Sequence, residues 1–273
     1  MKILGIETSC DDTAVGIVED GRNIISNIVF SQADMHSEFG GIIPEVASRE
    51  HIVKIIPGIN KALNEARMNL NDIDAVSVTY GPGLAGSLLI GVNTAKSMAI
   101  ASGLPFIGIN HIEGHIYATC LEDIELKEKP GFPIISLVVS GGHTDLILMK
   151  GHGDFQIIAR SRDDAAGEVF DKVARVLGLG FPGGPEIQKI SESGNLLDPA
   201  FPRPKVKNSM DFSFSGLKTS VVRRAESMGV YPKKDDNDVD QKIADIAKSF
   251  QEAIVDTIAV SYTHLTLPTN REV

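Results

Sequence analysis

The sequence predicts an α/β protein that consists of two similar lobes. Short apolar segments with strand spacing alternate with longer segments in which apolar residues recur at helical spacing. A group of three predicted strands near the N-terminus recurs about 131 residues later along the chain. The chain has 273 residues, 42% of them hydrophobic, so it is long enough to form two domains with sizeable cores.

The first lobe begins with three predicted strands, at residues 2–8, 13–19 and 23–31. The turn between the first two is crowded with hydroxyls and carboxylates, including Asp11 and Asp12. Such a turn can offer N–H and hydroxyl groups to a phosphate, while a carboxylate binds its metal ion or orients a nucleophile. An ordinary polar turn is the alternative explanation of the same composition.

Helices and a glycine-rich loop follow. Residues 44–66 have helical periodicity, residues 75–78 form a predicted core strand, and residues 88–102 form a second helix. The glycine-rich segment 80–87 connects that strand to that helix. A turn of this kind lets the backbone approach an anionic ligand at the helix N-terminus. Tight packing of the turn explains the glycines equally well.

A histidine pair follows the next strand, which is predicted to be buried at residues 105–109. In a helix, about 100° per residue places His115 only about 40° around the axis from His111, so both imidazoles share one face. A divalent metal such as zinc or iron accepts this arrangement if a third ligand comes from elsewhere. Glu113 lies about 200° away, unlike the general base of zinc proteases, which directly follows the first histidine. Two half-exposed histidines at a helix start are the alternative.

The strand repeat occupies residues 132–160. At the offset of 131, Ser9 aligns with Ser140 and Thr13 with Thr144. The repeat predicts two lobes whose phosphate-type turns face one another across a cleft. Duplicated lobes of this form hold a nucleotide in the actin, sugar-kinase and Hsp70 (ASKHA) superfamily, so the repeat suggests that fold by analogy.

The overall charge and the cysteine content limit the class of protein. A net charge of -10 argues against attraction of the whole surface to nucleic acid or to an anionic membrane. The two cysteines, Cys10 and Cys120, provide no disulfide framework, which indicates a reducing compartment. Glu7 follows the N-terminal apolar residues too soon for a signal peptide, and no apolar run long enough for a membrane span follows. We therefore expect a cytoplasmic protein without a membrane partner.

Several motifs in order resemble the TsaD-type tRNA threonylcarbamoyladenosine transferases, a family once described as O-sialoglycoprotein endopeptidases. The matching stretches are residues 5–11, 40–49, 81–83, 111–115, 139–144, 163–172, 183–185 and 211–218. Together they extend over the chain to about residue 258. Because several motifs in one order are more specific than any single motif, the chain is identified as a member of this family.

The resemblance implies a carbamoyl transfer. The exocyclic amine of adenosine 37 in a tRNA that reads codons beginning with A attacks the carbamoyl carbon of threonylcarbamoyl-AMP, and AMP leaves. It also implies that His111 and His115 bind one divalent metal, iron or zinc, which polarises or orients the donor. Asp11, with Asp12 beside it, is the candidate base or orienting group near the amine.

The resemblance also places the donor substrate against residues of the second lobe. They are Val138, Val139, Ser140, Gly141, Gly142, Asp171 and Gly184. Backbone N–H groups of the Ser140–Gly142 segment are expected to hold charge that develops at the carbonyl or phosphate. Gln188 stands where the family commonly has a carboxylate, so we expect its amide to replace that carboxylate as a hydrogen-bonding group.

One stretch of this acidic chain is basic. Residues 203–224 carry six basic residues against Asp211, which gives a local charge of +5 (six minus one). They are Arg203, Lys205, Lys207, Lys218, Arg223 and Arg224. This basic stretch is a candidate site for the tRNA backbone, with a merely solvated surface as the alternative. Phe212 and Phe214 alternate with serines and are expected to face the core.

The resemblance implies partner proteins as well. Bacterial members act with a catalytically silent paralogue and a small ATPase, so ATP and Mg²⁺ are used at the level of the complex, and another enzyme makes the adenylate. Two other function classes compete with the transferase. A metalloprotease is disfavoured by the position of Glu113, and a non-catalytic scaffold is disfavoured because the silent paralogues lack the histidine pair that this chain has.

The C-terminal part departs from the family pattern. Residues 241–258 are predicted to form a helix whose apolar stripe includes Ile246, Phe250 and Ile254. Residues 261–273 abandon that stripe, and we interpret them as a non-native tail. The predicted domains are thus a first lobe at residues 1–130, an incomplete second lobe at 131–260, and this tail. The absent segment carries the family's third metal ligand, an aspartate. We therefore expect the 273-residue chain to be inactive, with an exposed stripe and poor solubility.

Overall fold

The computed structural model describes residues 1–122, 131–232 and 238–266, with backbone alone for residues 120, 122 and 260–266. The chain forms two compact units, Met1–Gly131 and Phe132–Val273. Both units combine a sheet with helices, which confirms the predicted α/β class. Within the described residues, no helix is long and apolar enough to cross a membrane.

Unit 1 contains a five-stranded sheet with the order β3-β2-β1-β4-β5. Its strands are β1 (Lys2–Glu7), β2 (Thr13–Glu19), β3 (Asn23–Phe30), β4 (Ala75–Gly81) and β5 (Phe106–Asn110). Its helices are α1 (Ala33–Ser37), α2 (Pro44–Glu65), α3 (Ala85–Ser102) and α4 (His111–Glu122), with a 3-10 turn at Leu70–Asp72. Strand β1 is antiparallel to β2 and parallel to β4.

The two faces of this sheet differ because side chains alternate along each strand. Leu4, Ile6 and Val76 point to one face and are buried against α2 and α3, where Ile55 and Ala95 complete the core. The opposite face carries smaller and more polar residues, and it leads to the histidine pair.

Strand β5 is not the buried strand that its apolar sequence predicted. Phe106 and Ile107 are 37% and 44% exposed. Within the described part of the chain, β5 pairs only with β4 and is therefore an edge strand of the sheet. An apolar run of five residues does not distinguish a central strand from an edge strand.

The described residues of unit 2 form a three-stranded antiparallel sheet and four helices. The strands are β6 (Ile134–Val139), β7 (Thr144–Gly151) and β8 (Asp154–Arg160), in that spatial order. The helices are α5 (Ala166–Val176), α6 (Gly183–Ser191), α7 (Ser215–Ser227) and α8 (Val239–Thr266). Phe212 and Phe214 lie in the core as predicted, with stacked rings whose centroids are 6.2 Å apart.

The hairpins of the two units match in register at the predicted offset of 131. In unit 1, Glu7 pairs with Ala14. In unit 2, the pair at the same offset is Val138 with Asp145. The third strands also match at this offset on both sides of the β-bulges, for example Ala14 with Val29 and Asp145 with Arg160, and the register differs only around the bulges. The repeat in the sequence therefore corresponds to a repeated hairpin in the structure.

Helix α8 differs from the expectation in two respects. It extends to Thr266 instead of ending near residue 258. Its stripe is also buried: Ile246, Phe250 and Ile254 are 0%, 0% and 2% exposed. The expected exposure was wrong because α6 and α7 pack against α8 and cover the stripe.

Candidate functional site

The histidine pair lies at the start of α4, in unit 1. Asn110, the last residue of β5, initiates the helix, because its side-chain oxygen accepts hydrogen bonds from Ile112 N and Glu113 N at 2.9 and 3.4 Å. His111 and His115 are then one turn apart, and their Nε2 atoms are 3.1 Å from each other. The prediction that both imidazoles share one face of a helix is confirmed.

The separation of the two nitrogens fits one divalent metal. Two nitrogen ligands at about 2.0–2.1 Å from one ion lie about 3.4 Å apart at a tetrahedral angle and about 2.9 Å apart at a right angle. The observed 3.1 Å lies between these values. Among the described residues, however, no group of three or more His, Cys, Asp or Glu side chains could hold a metal. The third ligand therefore stays a prediction.

Glu7 binds the first histidine from the end of β1. Its Oε2 lies 3.1 Å from His111 Nδ1 and accepts a hydrogen bond from the Thr79 hydroxyl at 2.5 Å. Its Oε1 accepts a hydrogen bond from the backbone N–H of Ser9. Burial alone would raise the pKa of Glu7, but hydrogen bonds from His111, Ser9 and Thr79 lower it to about 2. Glu7 is therefore ionised at neutral pH.

This role of Glu7 and Thr79 was not predicted from the sequence. A signal was present, since Glu7 is a carboxylate that directly follows the apolar run of residues 3–6 in the first predicted strand. A groove of about 400 Å³ extends along the same sheet face from the histidine pair, with Gly5, Gly16 and Ser77 among its lining residues. Small side chains on this face leave room for a ligand or another segment of protein beside the histidines.

The turn with the candidate catalytic aspartates is held by a buried histidine. His51, fully buried on α2, contacts the Thr13 hydroxyl through Nδ1 at 2.8 Å and the Cys10 carbonyl oxygen through Nε2 at 3.0 Å. Asp11 is half-buried and Asp12 is exposed. Burial and the neighbouring Asp11 carboxylate raise the pKa of the Cys10 thiol to about 12, so this thiol is a poor nucleophile.

The glycine-rich loop before α3 packs on the same turn. A Cβ atom at Gly83 would lie 2.4 Å from the Ser9 carbonyl oxygen. The next residue, Leu84, donates its N–H to that oxygen at 2.7 Å. Of the two explanations that the sequence left open, the structure supports tight packing, because Gly83 lies directly against Ser9 and the Leu84 N–H is bound to the Ser9 carbonyl.

In unit 2, the turn that is predicted to bind the donor substrate is stabilised by hydrogen bonds of its own Ser140. Ser140 Oγ accepts hydrogen bonds from Gly142 N at 3.3 Å and His143 N at 3.1 Å, and Ser140 N donates to the His143 carbonyl at 2.8 Å. Two of the three expected backbone donors are thus used within the turn. Among the described residues, Gly141 N–H has no acceptor, so it is the donor that remains for a ligand. Val138 and Val139 end strand β6 beside it.

Asp171 and helix α6 form the second part of the predicted donor site. Asp171 Oδ1 accepts a hydrogen bond from Gly183 N, at the start of α6, at 2.7 Å. Burial raises the pKa of Asp171, although this hydrogen bond and Arg175 oppose the shift. Gly184 and Gln188 lie one turn apart on α6, and a Cβ atom at Gly184 would meet nothing within 4 Å. This face of α6 is open.

The basic stretch is only partly available to a nucleic acid. Arg203 forms an ion pair with Asp256 at 2.7 Å, and Lys218 forms one with Asp164. Arg224 donates to the Pro199 carbonyl at 3.1 Å and lies over the Phe201 ring. Lys205, Lys207 and Arg223 are exposed and form no ion pair with another described residue. Proximity in the sequence did not reveal that half of these charges bind within unit 2.

Known proteins resemble the chain over most of its length. The family model of TsaD, tRNA N6-adenosine threonylcarbamoyltransferase, matches residues 23–273. A tRNA N6-adenosine threonylcarbamoyltransferase of Dehalococcoides mccartyi is 53% identical over 259 residues, which cover 94% of this chain and 74% of that protein. One of Thermomicrobium roseum is 49% identical over 274 residues, which cover 95% and 75%.

A solved structure supports the fold. Component A of the (R)-2-hydroxyglutaryl-CoA dehydratase of Acidaminococcus fermentans matches with a TM-score of 0.51 at 14% identity, over 98% of this chain and 80% of that one. The similarity agrees with the duplicated ASKHA-type fold that the repeat predicted. Because the family model matches most of the chain and the relatives are about half identical to it, the chain belongs to the tRNA N6-adenosine threonylcarbamoyltransferase (TsaD) family.

Proposed function

We propose that this protein transfers the threonylcarbamoyl group from threonylcarbamoyl-AMP to N6 of adenosine 37 in tRNAs that read codons beginning with A. The observation that carries the proposal is the histidine pair, with two Nε2 atoms 3.1 Å apart, in a chain whose relatives are named for this transfer. A metalloprotease is not favoured by this family assignment. We also propose that the protein acts in the cytoplasm.

In unit 1, we infer that His111 and His115 hold one iron or zinc ion. When bound, the metal would supply a Lewis acid that polarises or orients the donor. Asp11 and Asp12 lie in the turn that His51 holds, where a carboxylate can orient the attacking amine or accept its proton. Because the described residues provide only two metal donors, we further infer that the 273-residue chain by itself does not transfer the group.

In unit 2, we infer that the turn at Ser140 and the open face of α6 bind the adenylate. The Gly141 N–H can stabilise charge that develops on an oxygen of the donor, since its neighbours' N–H groups are already engaged. Gln188 and Gly184 lie on the open face of α6, where the amide of Gln188 can hydrogen-bond a substrate hydroxyl.

The transfer is tested by incubating the chain with its partner proteins, threonylcarbamoyl-AMP and unmodified tRNA, and measuring threonylcarbamoyladenosine by mass spectrometry of the digested tRNA. The same assay is run with a version lengthened to match the relatives. We expect product from the longer version, and its loss in His115→Ala. Glu113→Gln is the matched control on the same helix and should retain activity. Product from His115→Ala at the unmodified rate would contradict the proposal.

For tRNA binding, we propose that the exposed part of the basic stretch, Lys205, Lys207 and Arg223, binds backbone phosphates. Replacing all three by Gln should weaken binding equally for different tRNA sequences. The log-log salt dependence should flatten by about 0.7–0.9 for each phosphate that the variant no longer neutralises. Lys150→Gln, also in unit 2 and exposed, is the control. An unchanged salt slope in the triple variant would show that the tRNA binds elsewhere.

For the partners, we propose a paralogue that docks on α2 and α3 and a small ATPase in the same complex. Helices α2 and α3 pack side by side and expose large apolar side chains. They are Ile52, Val53, Ile56, Leu89 and Ile100, each more than half exposed. Exposed apolar side chains clustered on neighbouring elements mark protein interfaces. Ile56→Asp should prevent co-purification of the paralogue, whereas Leu196→Asp, at a similarly exposed position in unit 2, should not. Retention of the paralogue by Ile56→Asp would exclude this surface.

A further inference from the structure

The hydrogen bonds around Glu7 determine which nitrogen of His111 carries the proton. Glu7 Oε2 lies 3.1 Å from His111 Nδ1, and a carboxylate can only accept. The Ser9 hydroxyl oxygen also lies 3.1 Å from Nδ1 and can accept a hydrogen bond from it. If Nδ1 were unprotonated, its lone pair would face the Glu7 carboxylate, and two acceptors would oppose each other at 3.1 Å. The proton is therefore on Nδ1, and in the neutral ring Nε2 has a lone pair.

That lone pair points toward the second histidine. Nε2 of His111 lies 3.1 Å from Nε2 of His115, and the two rings meet edge to face, with centroids 4.5 Å apart. This is the orientation that a metal ligand needs, because a nitrogen that carries a proton cannot coordinate. The tautomer of His111 thus decides whether the pair can bind a metal.

Glu7 is itself fixed in place by other donors. The Ser9 N–H donates to Oε1, and the Thr79 hydroxyl donates to Oε2 at 2.5 Å. Both donors come from backbone or side chains of the sheet and its first turn, so the carboxylate is held by the rigid part of unit 1. A carboxylate that holds a ligating histidine through its second nitrogen raises metal affinity in other proteins.

We propose that Glu7 is a positioning residue that fixes His111 in the Nδ1-protonated tautomer and so directs its Nε2 lone pair to the metal position. This inference rests on the proposed metal site. It adds a residue that acts through His111 rather than on the metal or the substrate.

Substitution of Glu7 by glutamine gives a sharp prediction. If the amide NH₂ replaces Oε1, it opposes the Ser9 N–H. If it replaces Oε2, it becomes a donor toward His111 Nδ1, which must then lose its proton to accept. The second arrangement places the proton on Nε2, where it blocks metal binding. The change keeps the size of the side chain, so the tautomer can be tested without a cavity.

The experiment uses the 273-residue chain with ¹⁵N-labelled histidine and Zn²⁺ as the probe. Long-range ¹H–¹⁵N spectra of the metal-free protein should show His111 protonated at Nδ1, and Glu7→Gln should shift the proton to Nε2. The apparent Kd for Zn²⁺ should rise about 10- to 100-fold in Glu7→Gln. Ser77→Ala is the control, because it changes the same sheet face in the groove without altering Glu7. In this variant His111 should stay protonated at Nδ1, and the apparent Kd for Zn²⁺ should stay within about threefold of that of the unmodified protein.

The outcomes separate this inference from the metal proposal. If the unmodified chain binds Zn²⁺ no better than His115→Ala, the proposed metal site fails, and the spectra alone decide the tautomer. If Zn²⁺ binds but Glu7→Gln binds it equally well, the role of Glu7 is refuted while the metal site stands. An Nε2-protonated His111 in the unmodified chain would refute the inference even if Glu7→Gln does not fold.

Discussion

The neighbouring glycines at the start of α6 provide a test of the packing in unit 2. A Cβ atom at Gly183 would lie 2.6 Å from the Phe170 carbonyl oxygen, 2.7 Å from Asp171 Cα and 2.8 Å from Ala174 Cβ. These neighbours belong to the backbone or the first side-chain atom of α5, so they cannot rotate away. A Cβ atom at Gly184 would meet nothing within 4 Å. Alanine substitutions at these two neighbouring positions therefore separate the effect of a steric clash from the effect of helix propensity.

Both substitutions to alanine gain helix propensity, by up to about 1 kcal/mol. In Gly183→Ala, overpacking against α5 costs about 1–3 kcal/mol or more. Gly184→Ala has no such cost, so it should be the more stable variant by about 1–3 kcal/mol. At about 2–4 °C per kcal/mol, the melting temperatures should differ by several degrees. Thermal unfolding followed by circular dichroism, with hydrogen exchange of α5 and α6, measures the difference. Equal stability of the two variants would refute the reasoning.

Three further predictions concern stability. His51→Phe should lower the free energy of unfolding by about 2–4 kcal/mol in urea titrations, since the Cys10 carbonyl and the Thr13 hydroxyl lose their partner; unchanged stability would contradict this. Ser26→Ala should be neutral or stabilise by up to about 1 kcal/mol, because the buried Ser26 hydroxyl has no hydrogen-bond partner among the described residues; a clear loss in the same titration would show that it has one. Burial raises the pKa of Asp164, but hydrogen bonds from two lysines outweigh it, and the net pKa lies below the ordinary 3.8. Asp164 therefore stabilises the fold above pH 3.8, and this contribution is lost as the pH falls through the lowered pKa. We expect Asp164→Asn to have a lower urea midpoint than the unmodified protein at neutral pH, and the two midpoints to approach each other only in acid.

Much of the fold could be predicted because its signals are local. The strands of unit 1 and the helices α2 and α3 follow from spacing of apolar residues, and the offset of 131 located the second hairpin. The position of β5 at the sheet edge could not be predicted, because pairing depends on residues distant in the sequence. The burial of Phe250 on α8 could not be predicted for the same reason, since α6 and α7 provide the cover.

In the candidate site, too, local features could be predicted from the sequence, whereas contacts between distant residues could not. The spacing of His111 and His115 gave their common face, because four residues correspond to about one helical turn. The hydrogen bond between Glu7 and His111 joins residues 104 positions apart and required the parallel arrangement of β1, β4 and β5. The charge of the basic stretch was likewise counted correctly from the sequence. The partners of Arg203 and Lys218 were not predictable, because Asp256 and Asp164 are each more than 50 residues away.

The equivalent turns of the two units share a backbone acceptor, the carbonyl of Ser9 or Ser140, but its hydrogen-bond donor differs between the units. In unit 1, the Ser9 carbonyl accepts the N–H of Leu84, and Gly83 provides the space for this approach. In unit 2, the Ser140 carbonyl accepts the N–H of Gly167 at 3.2 Å, and a Cβ atom at Gly167 would lie 2.5 Å from that oxygen. Each serine carbonyl is therefore covered by a glycine near a helix start, although the glycines themselves do not align at the offset of 131. Because the acceptor recurs while the donor comes from different elements, the repeated feature is the hairpin turn, and each unit has its own means of holding it.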